Sequence, residues 1–171
     1  LEFVGTREAA QDMDVLRHVL GDPRLYYVGF SYGTSLGGMY SELFPQNVGR
    51  VILDGAVDDS IPSIDQTVAQ AKGFEQALDA YIESCIAGGD CVLGSTLVEA
   101  RATVSELFEN IETTPIAVGD RELTQTGLFY GVAMPLYDDT AWFALDIAFD
   151  EIVNGGSGDM FLTMFDLYMS R

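Results

Sequence analysis

The sequence of 171 residues holds a single histidine, His18, a single lysine, Lys72, and two cysteines, Cys85 and Cys91. One imidazole and two thiols cannot complete a tetrahedral Cys/His zinc set, so no metal is expected, and no cofactor either. Cationic side chains are scarce, eight Lys and Arg against 27 Asp and Glu, for a net charge of −19. That field repels phosphate backbones and anionic headgroups, which excludes nucleic acid and membrane surfaces as partners; its plainest use is solubility. No apolar run approaches the ~20 residues of a membrane helix. No basic segment followed by an apolar stretch and a small-residue cleavage site opens the chain. It begins Leu1-Glu2-Phe3-Val4 without an initiating Met, as expected of an internal fragment of a longer protein.

What is present is globular: 48% hydrophobic and 20% charged residues, enough to bury a core. The spacing of Cys85 and Cys91, with Gly88 and Gly89 between them, permits a small disulfide loop worth roughly 2 kcal/mol in loop entropy. Two reduced thiols would suit a cytosolic setting instead. The most informative segment is Gly29-Phe30-Ser31-Tyr32-Gly33, a G-x-S-x-G that follows the apolar run 25–28 and precedes a helix-compatible stretch to Phe44. Strand, sharp turn and helix are the context that makes this pattern a nucleophile elbow. The turn imposes strained backbone angles on the serine and lifts its hydroxyl above the sheet edge. The flanking glycines are needed because a Cβ there would collide with the neighbouring strand or helix. Ser31 is therefore the candidate nucleophile of a serine hydrolase of α/β type.

Ala9, Ala10, Met13, Leu16 and Leu20 recur at helical spacing, predicting a helix over 6–20 capped at or beside Thr6 and stopped by Gly21-Asp22-Pro23. A strand at 25–30, a helix at 33–44 ended by Pro45, and a second buried strand at 48–53 follow. This order, with short connections, suits adjacent parallel strands of a doubly wound sheet. Gly33, Gly37 and Gly38 are expected to let the elbow helix lie close to that sheet. Past residue 60 no period-2 strand recurs. Helices are predicted near 63–87, 95–112, 122–136, 139–154 and 158–170, with breaks at Pro115, at Val118-Gly119-Asp120 and at 155–158. The expected division is a partial sheet core over 1–60 and an all-helical module over 61–171.

Thr6 to Arg17, Gly29 to Thr34, Phe44-Pro45 and Val51-Ile52-Leu53-Asp54-Gly55-Ala56-Val57-Asp58 resemble segments of the secreted bacterial tripeptidyl aminopeptidases. These are α/β-hydrolase serine exopeptidases related to prolyl iminopeptidases. The helical part resembles their cap, including the Cys85 to Cys91 spacing, Val118-Gly119-Asp120 and the tyrosine-rich C-terminal helix. G-x-S-x-G alone is moderately specific; joined to Asp-Gly-Ala-Val-Asp downstream it is strong. The resemblance implies an α/β-hydrolase fold, present as a partial sheet core followed by an α-helical cap, or lid. It implies a Ser-Asp-His triad, a peptide substrate cleaved through an acyl-enzyme on Ser31, and export from a bacterial cell. The backbone N–H of Tyr32 would form half of the oxyanion hole, the other half lying in a Gly-rich loop before Leu1. Chain order in such enzymes is nucleophile, acid, histidine. Acid and base are thus expected beyond Arg171, and the 171 residues alone are expected to be inactive. The alternatives are an esterase or other small-molecule hydrolase, and a non-catalytic fragment.

Other residues have simpler readings. His18 precedes Ser31 and reads as a surface helix residue, since a general base must reach the serine hydroxyl. Asp54 ends the strand after the nucleophile helix, where some hydrolases carry their acid, yet Asp-Gly there reads as a turn; Asp58 and Asp59 rank behind it. Asp138 and Asp139 read as helix caps. Trp142, Phe143, Phe149, Phe161, Phe165 and Tyr168 are expected to form the core of the helical module, some with access to a substrate pocket. An acidic residue such as Glu75 or Asp79 could meet a substrate's α-amino group.

Overall fold

The computed structural model describes residues 3–170. The chain divides into two compact units, one running to Val68 and the other starting at Ala69. In the first, α1 (Thr6–Val19), β1 (Leu25–Phe30), α2 (Tyr32–Leu43) and β2 (Val48–Asp54) follow in order, with one 3₁₀ turn at Pro45–Asn47. The strands pair in parallel, with Tyr27 beside Val51, Val28 beside Ile52 and Phe30 beside Asp54. This is the strand–helix–strand crossover read from the sequence, since parallel neighbours require a crossover that here is α2. Along β1 burial alternates: Tyr27 and Gly29 turn toward α2, while Tyr26, Val28 and Phe30 are more than half exposed.

The start of α1 falls beside Thr6 as expected: Gly5, in extended conformation, is the N-cap and makes no side-chain bond, while the Thr6 hydroxyl lies 2.9 Å from the Tyr32 phenol. Of the apolar residues at helical spacing, Ala10 is buried, whereas Leu16 and Leu20 are more than half exposed.

The second unit carries α3 (Ser63–Gly88), which starts before its boundary, then α4 (Leu97–Thr113), β3 (Ile116–Val118), β4 (Arg121–Leu123), α5 (Gln125–Ala133), α6 (Trp142–Asp150) and α7 (Asp159–Met169). Its core gathers on Tyr81, Ile82, Leu128, Leu145, Phe149 and Phe161, all buried. Phe149 stacks on Tyr81 at 5.9 Å and meets Phe161 edge-on at 5.1 Å. Trp142 and Phe165 pack on this cluster, whereas Phe143 is 63% exposed and leaves it. Cys85 and Cys91 are joined in a disulfide, Cα atoms 5.1 Å apart, closing the loop after α3. α4 starts on a reciprocal cap: the Thr96 hydroxyl accepts from Glu99 N–H while the Glu99 carboxylate accepts from Ser95.

The expectation of helices alone past residue 60 is wrong at one place. Residues 116–123 form an antiparallel hairpin, Ile116 opposite Leu123 and Val118 opposite Arg121. Its turn, Gly119-Asp120, is allowed by glycine at φ +57. Three-residue strands are too short for an alternation to register. The helix predicted from 122 therefore starts at Gln125, where the Thr124 hydroxyl accepts from Gly127 N–H, and it gives way at Pro135 to a 3₁₀ turn. Likewise 139–154 is three pieces. Asp138 caps a 3₁₀ turn at Asp139–Ala141, α6 follows, and a π turn at Glu151–Gly155 ends on left-handed Gly156.

The helices of the first unit are joined by one carboxylate. Asp14 Oδ1 accepts from Arg17 Nε at 2.8 Å, from the Tyr40 hydroxyl at 2.9 Å and from Asn47 Nδ2 at 2.8 Å. It thereby ties α1 to the fully buried Tyr40 of α2 and to the turn that leads into β2. These donors favour the charged form, Arg17 foremost, and hold the carboxyl at about 2. The unfolded value is about 3.9. Because the folded value is depressed, the carboxylate's contribution is complete above about pH 4 and is lost as pH falls toward 2. Asp14→Ala leaves the Tyr40 hydroxyl and the Asn47 amide without this acceptor, at a cost of about 1–3 kcal/mol. Urea unfolding at neutral pH is expected to show that loss, and the gap between wild type and variant should narrow between pH 4 and pH 2. A gap that is constant over this range would exclude the ionised form as the source.

Candidate active site

Ser31 stands between the last residue of β1 and the first of α2, at φ +51 and ψ −119. Among the described residues no other non-glycine has positive φ. Such a backbone costs on the order of 1–3 kcal/mol and persists only where its surroundings over-determine it. They do so here. The Ser31 N–H donates to the Asp54 carbonyl at the end of β2, 3.0 Å away. The Ser31 carbonyl accepts from Thr34 N–H at 2.8 Å and from the Thr34 hydroxyl at 2.7 Å. Thr34 Oγ1 in turn accepts from Val57 N–H at 2.9 Å. Thr34 is buried, so this one hydroxyl fastens the turn to the loop after β2.

The close approach of α2 to β1 explains the glycines. A Cβ on Gly29 would lie 2.4 Å from the Gly33 carbonyl oxygen, and one on Gly37 would lie 2.7 Å from the Tyr27 ring and 2.8 Å from Leu53. A side chain at Gly29 would have to displace the Gly33 backbone, and one at Gly37 would have to displace the Tyr27 ring and Leu53. Gly38 does not share this role: a Cβ there meets nothing within 4 Å. Tyr27 closes the contact from the strand side, its hydroxyl donating to the Gly33 carbonyl at 2.8 Å.

The arrangement leaves Ser31 exposed at the N-cap of a 12-residue helix. As the first residue of α2, Tyr32 has a backbone N–H with no intrahelical acceptor. The helix dipole adds positive potential there, and no acidic residue sits in the first turn to cancel it. Negative charge that develops beside Ser31 is therefore favoured, the electrostatic requirement of acyl transfer.

The structure brings no triad partner to Ser31 among the described residues. His18 is exposed in the last turn of α1 and has no side-chain hydrogen bond to Ser31. Asp54 meets the elbow through its backbone carbonyl only. The Asp58 carboxylate accepts from the Ser60 N–H and hydroxyl, which lower its pKa, and Asp59 accepts from the buried Ser35 hydroxyl at 2.7 Å. Both are thus occupied in shaping the loop after β2. Glu75 and Asp79 are likewise engaged, each with Arg101, at 3.1 and 2.5 Å. Thr34 and the Ser35–Asp59 bond went unread in the sequence, because their partners lie 23 and 24 residues away and no spacing rule links them.

Thr34→Val keeps the side-chain volume and removes the hydroxyl that links Ser31 to Val57. It is expected to destabilise the protein by about 1–3 kcal/mol and to lower any Ser31-dependent activity more than Thr34→Ser does. Chemical denaturation beside a kinetic assay of the two variants checks this; equal effects from both would remove the hydroxyl from the account.

Residues 4–142 match the family described as alpha/beta hydrolase fold. Serine protease Hip1 of Mycobacterium tuberculosis is 36% identical over 179 residues, covering 100% of this chain and 34% of that protein. Tripeptidyl aminopeptidase of Streptomyces lividans is 33% identical over 161 residues, 91% of this chain and 29% of that protein. Carboxylesterase B of Mycobacterium tuberculosis is 31% identical over 172 residues, 100% of this chain and 33% of that protein. The chain spans about a third of the length of these curated relatives. With a parallel strand–helix–strand unit, a strained serine at the strand-to-helix turn and a family match over most of its length, the chain belongs to the alpha/beta hydrolase fold family.

Proposed function

We propose that the protein is a serine hydrolase with Ser31 as nucleophile, an exopeptidase that releases short N-terminal peptides in the manner of a tripeptidyl aminopeptidase. The observation that carries this reading is the Ser31 backbone, held at φ +51 with the residue exposed at a helix N-terminus. A serine of merely structural use has no need of such strain. Two relatives, a serine protease and a tripeptidyl aminopeptidase, support the peptidase reading.

In the proposed reaction Ser31 Oγ attacks the scissile carbonyl while its proton passes to a base. The Tyr32 N–H and the positive end of α2 meet the oxygen that gains charge. Collapse of the tetrahedral species leaves the released peptide's acyl group as an ester on Ser31 and expels the remaining chain as an amine, which takes the proton. Water then cleaves the ester. We assign the base, its acid partner and the second oxyanion donor to sequence other than these 171 residues. His18 is the one imidazole of the chain and does not engage Ser31, so these residues by themselves are inactive in this scheme. Residues 1–60 serve as part of the α/β core and 61–171 as the cap.

The bacterial sources of the relatives and the Cys85–Cys91 disulfide support a secreted or cell-envelope protein. Among the described residues no helix is long and apolar enough to cross a membrane. An esterase is the second reading, favoured by the match to Carboxylesterase B over the whole of this chain.

Steady-state kinetics of the full-length protein on a tripeptidyl anilide and an aryl ester separate the two. The expected result is release of the intact tripeptide, with kcat reduced more than ~1,000-fold by Ser31→Ala. Ester turnover without peptide release would establish the esterase, and full activity in Ser31→Ala would remove Ser31 from the chemistry.

A further inference from the structure

The second unit contains an apolar cleft that the proposed chemistry does not use. It lies between α3, α4 and α5, has a volume of about 360 Å³, and is walled by Phe74, Leu78, Val104, Phe108, Val132 and Leu136. That size falls within the ~300–1,000 Å³ of small-molecule sites, and helix junctions are among their usual places. The polar groups at this cleft are few and of one net sign. Glu75 and Glu109 line it together with Arg101. The Arg101 guanidinium is already matched by Glu75 at 3.1 Å and by Asp79 at 2.5 Å. Two carboxylates and one guanidinium among the lining residues leave the cleft net negative, and the guanidinium is further offset by Asp79 beside it, in a chain whose net charge is −19.

A second observation bears on the same wall. Phe74 and Leu136 also border a neighbouring concavity of about 260 Å³, on the side of Gly73 and Tyr137. Gly73 stands within the 26-residue α3, where glycine weakens a helix relative to alanine. A Cβ there would meet nothing within 4 Å, so no close backbone approach accounts for it. Its missing side chain leaves the space beside Phe74 open, and Phe74 itself is only partly buried, edge-on to Tyr137 at 5.3 Å. The cleft therefore has room on both sides of the phenyl ring.

We propose that this cleft is a binding site for an apolar amine: a molecule with an aromatic or aliphatic body seated among Phe74, Leu78, Val104 and Phe108, and a cationic end at Glu75 and Glu109. The apolar walls provide the affinity, and the carboxylates at the mouth set the sign of the charge. An anion of the same shape meets Glu75 and Glu109 with like charge and is rejected. The site stands apart from the Ser31 reading, because no residue of the elbow lines it.

The test is calorimetric titration of the full-length protein with 1-naphthylmethylamine and with 1-naphthoate at low salt. Saturable binding of the amine, at least tenfold tighter than the carboxylate, is expected. Ser105→Trp, at an exposed position on the rim, is expected to weaken the amine more than tenfold by covering the entrance; Ala133→Phe should do the same by filling the floor. Glu109→Gln should narrow the difference between the two ligands, and Ser31→Ala should bind as wild type does. Absence of saturable amine binding, or wild-type affinity in both the Trp and the Phe variants, would overturn the site. Equal affinity for amine and carboxylate would overturn the assignment of its charge.

Discussion

The backbone of Ser31 and the bonds that hold it are the constraint on which the first unit depends. A serine at φ +51 is unfavourable by about 1–3 kcal/mol taken alone. Its N–H is bound to Asp54 and its carbonyl to both donors of Thr34. Each such bond contributes about 0.5–1.5 kcal/mol net, so together they match the strain. The partners come from three elements: the end of β2, the first turn of α2 and, through the Thr34 hydroxyl, the loop at Val57. The turn is therefore a product of tertiary structure and not of its own five residues. Remove β2 and the Ser31 N–H loses its acceptor, leaving only the Thr34 bonds on the carbonyl side to hold the strain.

Everything close to the turn serves the same end. Gly29 and Gly37 let α2 come near β1, and Tyr27 fills the contact while binding the Gly33 carbonyl. Farther out, Asp14 binds α1 to Tyr40 and Asn47, which fastens the C-terminal end of α2 and the turn after it. The result is an exposed hydroxyl at a helix N-terminus free of acidic side chains, although the chain carries 27 of them. Function and stability thus draw on one set of contacts. Substitutions in that set are expected to lower both together, unlike those on the outer face of α1.

The part of the fold that could be read from the sequence is the part whose signals are local. Gly29 to Gly33 between an apolar run and a helix-compatible stretch located the elbow. The period of apolar residues indicates the helices, and the spacing of Cys85 and Cys91 permits the disulfide that the structure contains. What could not be read rests on partners distant in sequence or on elements too short to show a period. The Asp14 bonds to Tyr40 and Asn47 span 26 and 33 residues, and β3 and β4 are three residues each. Phe143 departs from its expected place in the core because α6 is apolar on nearly every side, which leaves no contrast to tell its outer face from its inner one. At the site, the sequence places Ser31 at a sharp strand-to-helix turn, which the structure shows, but offers no base or acid, and none is joined to Ser31 among the described residues.

In the proposed chemistry the strained serine is the reactive one. Labelling the full-length protein with a fluorophosphonate, followed by peptide mapping in a mass spectrometer, addresses it most directly. A single phosphonyl group on Ser31, absent from the Ser31→Ala variant, is the expected result. An adduct on any other serine, or equal labelling of that variant, would contradict it.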